Sequence, residues 1–289
     1  MASTKRSDFR SFHRIQVRWA EVDMQKIVFN AHYLMYFDTA MSGYWRKLAL
    51  PYEATLHGLG GDLFVKKASV EYHGSARYDD TIDVGLRCAR IGTSSVVFEG
   101  AIFRGDTLLI TAELLYVYAN PATQTSQPVP EALRAVFDTF EEGQAVTDLQ
   151  VGAWDSLREP VSSLRTDVFV NEQGIGAHMV WDAADATAVH ALVCNKLGRP
   201  VATGRLLQHA PQVGRIGRMA VDRGLRGSRF GRDVLVGLLN AARARGDTEV
   251  MLHAQCSAEG FYTRQGFLAR GPVFEEAGIQ HIEMVLPLV

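Results

Sequence analysis

Residues 31–48 read AHYLMYFDTAMSGYWRKL. Tyr33, Leu34, Tyr36, Phe37, Met41, Tyr44, Trp45 and Leu48 are spread around the helical projection of this stretch instead of lining one stripe. A helix apolar on nearly every side must be covered on more than one of them. The pattern therefore predicts a helix wrapped by sheet rather than laid on a surface. Strands to do the wrapping flank it. Upstream, 12–20 reads as a strand that leads into a turn containing Asp23. Downstream, strands are predicted near 63–73, 81–91, 94–104 and 107–118. One long helix with four later strands is an α+β layout.

Residues 120–130, NPATQTSQPVP, break every hydrophobic period and end the last of these strands. The stretch EALRAVFDTFEE (131–142) then puts Leu133, Val136, Phe137 and Phe140 on one helical face. A helix after Pro130 closes a first domain. Gly143 to Asp148 is short and polar, which places a boundary near Gly143 and gives domains 1–143 and 144–289. A chain of 289 residues has room for two.

The second half starts with a strand at Leu149. It continues as helix 155–169, strands 188–196, 201–208 and 215–221, helix 229–245, strand 249–254, helix 258–265 and a last strand ending near Leu288. This is mixed α/β. Between Arg199 and Arg232 stand eight arginines and one acid, Asp222. The loop RGLRGSRFG (223–231) lies inside that strip and precedes a helix with Val234, Leu235, Leu238, Leu239 and Ala242 as its buried stripe. Glycines let backbone N–H groups approach a pyrophosphate, and a helix N-terminus with nearby arginines supplies positive potential.

Composition excludes several classes. Thirty Lys and Arg against 32 Asp and Glu give a formal charge of −2, so duplex DNA and anionic membranes are not expected partners. Nucleic-acid binding through the arginine strip is disfavoured because the strip lacks interleaved aromatics beyond Phe230. Three cysteines, none at C-x-x-C spacing, argue against a disulfide framework or a Cys-based zinc site. His178, His190, His253 and His281 show no ligand spacing, and no metal is expected. A polar start and the lack of a long apolar run predict a soluble, cytoplasmic protein.

The stretch RWAEVDMQKIVFNAHYL (18–34) resembles the signature loop and central helix of hotdog-fold acyl-CoA thioesterases of the 4-hydroxybenzoyl-CoA thioesterase type. VEYHGSARYDDTIDV (70–84) and the turn with Gly92, Ser94 and Ser95 fit the same family, so the resemblance covers most of 9–140. It implies an antiparallel sheet around a central helix, acyl-CoA as substrate, and a homo-oligomer, dimer or tetramer, formed through this domain. It assigns Asp23 as nucleophile or general base. The backbone N–H of Asn30, with Ala31 beside it, becomes the oxyanion donor. The family often carries Gly where Gln25 or Lys26 stands, and Tyr or His where Asn30 stands. Glu21 is expected to be a solvated carboxylate. Lys66, Lys67 and Arg77 are basic residues that could meet CoA phosphates, although solvation is the commoner fate of such side chains.

The second half resembles GCN5-related N-acetyltransferases (GNAT) of the ElaA-like branch. The resemblance rests on RIGRMAV (215–221), the arginine-rich loop, AEGFYTRQGF (258–267), VFVNEQ (168–173), WDAAD (181–185) and EEAGIQH (275–281). It places Arg226, Gly227, Ser228, Arg229, Phe230 and Gly231 in the acetyl-CoA pyrophosphate loop. Backbone groups of Met219, Ala220 and Val221 hold the pantetheine arm, and Tyr262 protonates the departing CoA thiolate. The family usually has Gly where Arg229 stands. Glu172, Asp185 and His190 are candidates for binding or deprotonating an amine acceptor whose identity stays open.

Both halves point to CoA thioesters as substrates, with no tightly bound cofactor. The expectation is a bifunctional enzyme, an acyl-CoA thioesterase followed by an N-acetyltransferase. The alternative is that one half has lost its chemistry and serves as an acyl-CoA-responsive regulatory or oligomerisation module.

Overall fold

A computed structural model describes residues 4–288. The polypeptide forms two compact units that meet in sequence at Val146 and Thr147.

In the N-terminal unit, β1 (Ser11–Gln16) leads through a 3-10 turn, Trp19–Glu21, to α1 (His32–Lys47) and α2 (Tyr52–Leu59). Then follow β2 (Asp62–Tyr72), β3 (Thr81–Ile91), β4 (Ser95–Arg104), β5 (Thr107–Ala119) and α3 (Glu131–Glu141). The strands make one antiparallel sheet in the order β1-β3-β4-β5-β2. Tyr33, Tyr36, Phe37, Ala40, Met41, Tyr44 and Trp45 of α1 are buried. Gly100 on β4 lets the helix come close, because a Cβ there would run into the Phe37 ring. Tyr44, Phe98 and Phe137 link α1, β4 and α3 by ring contacts of 5.4–6.2 Å, an arrangement that adds to plain area burial. This is the expected α+β hotdog arrangement with one qualification. Leu34 and Met35 of α1 stay exposed, so the single chain covers one side of the helix and leaves the other bare.

Two expectations change here. The first strand stops at Gln16 and not near Ala20, because the chain coils into the 3-10 turn that buries Glu21. The helix α2 was not foreseen, although Pro51 precedes it and Gly60, left-handed at φ 76°, ends it, the asymmetry expected of helix termini.

In the C-terminal unit come β6 (Thr147–Ala153), α4 (Trp154–Arg165), α5 (Ala177–Val180), β7 (Val189–Asn195), β8 (Pro200–Ala210) and β9 (Val213–Val221). They are followed by α6 (Phe230–Arg245), β10 (Glu249–Gln255), α7 (Glu259–Thr263), β11 (Leu268–Glu276) and β12 (Ile279–Pro287). The sheet order is β11-β12-β10-β9-β8-β7-β6, antiparallel except for the β9–β10 pair. That parallel pair requires a crossover, which α6 supplies with Val234, Leu235, Leu238, Leu239 and Ala242 buried as expected. The predicted helix 155–169 ends at Arg165 and continues as a π-helical stretch, Thr166–Glu172. The single last strand is really the hairpin β11–β12. Its two-residue turn, Ala277 and Gly278, has both residues at positive φ, as a twisted hairpin favours.

Candidate functional sites

The predicted thioesterase residues sit in the loop between β1 and α1. Asp23 N–H donates to the Ile27 carbonyl at 2.9 Å, Lys26 N–H donates to the Asp23 carbonyl at 2.9 Å, and Val22 bridges Val28. Within this turn Gln25 N–H donates to Asp23 Oδ1 at 2.8 Å, while Oδ2 has no hydrogen-bond partner among the described residues. Lys26 is left-handed at φ 61°, a backbone region natural to Gly and strained by roughly 1–2 kcal/mol for other residues. That accounts for glycine at this point in the family pattern. Phe29 N–H donates to the Glu21 carbonyl, and His32 N–H to the Phe29 carbonyl, each at 2.9 Å. Between them the N–H groups of Asn30 and Ala31 meet no acceptor among the described residues. The loop thus joins a half-exposed carboxylate to open donors at the start of α1, where the helix dipole is positive.

Glu21 does not fit its expected solvated role, being only 3% exposed. Tyr36 hydroxyl donates to it at 2.8 Å, Arg18 N–H at 2.8 Å, and the Arg18 guanidinium at 2.6 and 2.8 Å. Burial pushes its pKa up, but these donors outweigh burial and hold the carboxyl below the ordinary glutamate value. Glu21 ties the β1–α1 loop to α1. The stabilisation is present above the unfolded glutamate pKa and is lost as pH falls through the lower folded one. Glu21→Gln is expected to cost about 1–3 kcal/mol of stability at neutral pH and to flatten the acid limb of the Tm–pH curve, read by circular dichroism.

The basic residues separate. Lys67 pairs with Glu113 at 3.6 Å across β2 and β5, and Lys66 is exposed on the same edge strand. Arg77 bridges Ile27 and so stands beside the Asp23 loop.

In the C-terminal unit, β9 and β10 pair only from Val213–Glu249 to Ile216–Leu252. Beyond Ile216, β9 runs on to Val221 with no neighbour on its β10 side. Met219, Ala220 and Val221 lie on this open edge, whose backbone is available to an extended amide-bearing chain. A bulge puts Arg218 at φ 53°. The loop to α6 follows directly. Among its residues, the N–H groups of Gly227, Arg229, Phe230 and Gly231 meet no acceptor among the described residues. Arg229 caps α6 at φ 72°, the geometry that makes Gly the family's usual residue there. Free N–H groups at a helix N-terminus form an anion site.

A cavity of about 370 Å³ opens beside this edge, lined among others by Met219, Arg215, Arg218, His253, Glu276 and Tyr262. Tyr262 is 7% exposed, and its hydroxyl has no hydrogen-bond partner among the described residues. Burial pushes the phenol up to about 12, so it holds its proton at any working pH.

The three acceptor-site candidates lie elsewhere. Asp185 and His190 are buried in a charge cluster with Arg165, which is fully buried, and Arg205. Asp185 Oδ1 accepts from Arg165 at 2.9 Å and Arg205 at 2.8 Å, and His190 Nε2 lies 2.9 Å from the Asp185 carbonyl. Burial raises the Asp185 pKa, but the two arginines outweigh it and bring it below the ordinary aspartate value. Burial lowers that of His190. Both residues brace β7 and β8 and do not line the cavity. Glu172 is held by Arg226 of the predicted pyrophosphate loop at 2.6 and 2.7 Å, so it belongs to that loop's surroundings. The residues overlooked in the cavity are Arg215, His253 and Glu276. Strand alternation places Arg215 and Gly217 on one face, a signal available in the sequence.

Among the described residues no cluster of His, Cys, Asp and Glu could hold a metal ion, and no helix is long and apolar enough to cross a membrane.

Comparison with known proteins divides the chain in the same way. The family described as "Thioesterase superfamily" matches residues 25–111, and "Acetyltransferase (GNAT) domain" matches 166–288. The Schizosaccharomyces pombe "UPF0039 protein C11D3.02c" is 34% identical over 127 residues, covering 43% of this chain and 84% of that protein. The Escherichia coli O157:H7 "Acyl-CoA thioester hydrolase YbgC" is 26% identical over 124 residues, covering 43% of this chain and 92% of that protein. A solved 1,4-dihydroxy-2-naphthoyl-CoA thioesterase from Synechocystis is 18% identical, with a TM-score of 0.41 over 44% of this chain and 95% of that one. The chain therefore carries a thioesterase-superfamily domain in its N-terminal unit and a GNAT acetyltransferase domain in its C-terminal unit, and through the latter it belongs with the UPF0039 protein of Schizosaccharomyces pombe.

Proposed function

We propose that the chain is a bifunctional CoA-ester enzyme with two separate sites. The C-terminal unit moves an acetyl group from acetyl-CoA to an amine. The observation that supports this best is the parting of β9 from β10, followed directly by a helix N-terminus of unpaired N–H groups. The pantetheine arm lies along Met219, Ala220 and Val221, and its pyrophosphate on Arg226 to Gly231. The neutral amine attacks the thioester carbonyl, the C–S bond breaks, Tyr262 gives its proton to the CoA sulfur, and the nitrogen's excess proton passes to solvent, from which Tyr262 is reprotonated.

The N-terminal unit hydrolyses acyl-CoA. Asp23 attacks the thioester or deprotonates the attacking water, and the Asn30 N–H stabilises the oxyanion. Products are the acid and CoA thiol. This site works in a homo-oligomer. The edge strand β2 carries exposed Phe64, Val65 and Tyr72, and α1 leaves Leu34 and Met35 bare, an apolar edge that monomers avoid. Asp23→Ala is expected to reduce thiol release from acyl-CoA in the absence of amine by about 10²–10⁴-fold. Undiminished release by the variant would remove Asp23 from the mechanism. The protein is read as cytoplasmic.

A further inference from the structure

The cavity beside β9 holds an unbalanced set of charges. Three guanidinium groups face it, those of Arg205, Arg215 and Arg218, against two carboxylates, those of Asp182 and Glu276. Two of the arginines are engaged. Arg205 donates to Asp182 Oδ1 and Oδ2 at 2.7 Å each and to Asp185 at 2.8 Å. Arg218 donates to the Val180 and Met179 carbonyls at 2.9 Å and to Asp182 at 3.2 Å. Asp182 is thus shared by both.

Arg215 is different. Its one polar partner among the described residues is an imidazole, with Nη2 3.0 Å from His253 Nδ1, and no carboxylate lies within ion-pair distance. The same Nδ1 is 2.9 Å from Glu276 Oε2. If Nδ1 carries a hydrogen it serves Glu276 and Arg215 is released. If Nδ1 is bare it accepts from Arg215, but a neutral ring cannot balance the cation. Either way no carboxylate among the described residues is hydrogen-bonded to this planar, multiply donating guanidinium on the cavity wall, and Glu276 reaches it only across His253. A carboxylate is the group its paired donors match.

We propose that the acetyl acceptor carries a carboxylate in addition to its amine, as an amino acid does, and that Arg215 selects it by binding that carboxylate. This rests on the acetyltransferase reading of the same unit. Tyr262 and Met219 line the same cavity, so an acceptor held by Arg215 shares a chamber with the group that protonates the leaving thiolate.

The test uses the full chain with acetyl-CoA and matched acceptors, amino acids against their C-terminal amides and decarboxylated amines, compared at equal free-amine concentration. The expected result is a kcat/KM for the amino acids about tenfold or more above that for the uncharged partners. Arg215→Gln is expected to abolish the preference through KM while leaving turnover of the amides and acetyl-CoA binding intact. Arg215→Lys, which keeps the charge, retains part of it. Equal or better turnover of the amides by the unaltered protein overturns the carboxylate proposal and leaves acetyl transfer standing. A preference that survives in Arg215→Gln removes Arg215 from it. Transfer to no amine of either kind overturns both.

Discussion

Tyr262→Phe is expected to lower acetyl transfer from acetyl-CoA by about 10²–10⁴-fold and to leave the Tm unchanged. The two halves of this result have separate causes. The hydroxyl makes no hydrogen bond among the described residues, so its loss strands no partner. The ring packs against Phe261 and Phe267 at 4.9 and 5.8 Å, contacts that phenylalanine keeps. The chemistry is another matter. A phenol with its pKa near 12 is protonated throughout the working range, and it lies in the cavity that borders Met219. Without it the thiolate must leave unprotonated or borrow a proton from water. The loss is expected in kcat and kcat/KM alike, with acetyl-CoA affinity retained in equilibrium titration.

Asp185→Ala produces the opposite pattern. Removing this carboxylate leaves Arg165, which is completely buried, and Arg205, 6% exposed, without a shared counter-charge. Breaking a buried pair from one side costs about 3–5 kcal/mol. The variant is expected to lose much of its Tm by calorimetry while the folded fraction transfers acetyl groups at the ordinary rate. Loss of turnover with an unchanged Tm would return Asp185 to the list of catalytic candidates. The pH dependence has a definite sign. Asp185 is depressed below the ordinary aspartate value, and Asp182, hydrogen-bonded by Arg205, is brought down to about 2. Their stabilisation is complete above the unfolded aspartate value of about 4 and is lost as pH falls through the depressed folded values.

How much was legible in the sequence follows from what kind of information each feature uses. The central helix, strands β3 to β5 and the buried stripe of α6 are periodic, and periodicity is local. Asp23 and the arginine-rich loop lie in contiguous stretches whose residue order carries the pattern. Glu21 was misjudged because its partners include Tyr36, fifteen positions away across a turn, a closure that alternation cannot show. Asp185 and His190 carry the right chemistry for an acceptor site, but Arg165 and Arg205 arrive from α4 and β8 to bury them. The β11–β12 hairpin was missed although Ala277 and Gly278 form a two-residue turn, since alanine at φ 55° is an unusual occupant. Arg215 needed the cavity itself, because only there does its lack of a directly bonded carboxylate appear.

The central claim is that two independent CoA-ester sites reside in one chain. The most direct measurement is thiol release by the unaltered protein, Asp23→Ala and Tyr262→Phe, each with a panel of acyl-CoAs alone and with acetyl-CoA plus amines. The account predicts that Asp23→Ala loses only amine-independent release and Tyr262→Phe loses only amine-dependent release. Loss of both activities in either variant, or amine-independent release that ignores Asp23→Ala, would contradict it.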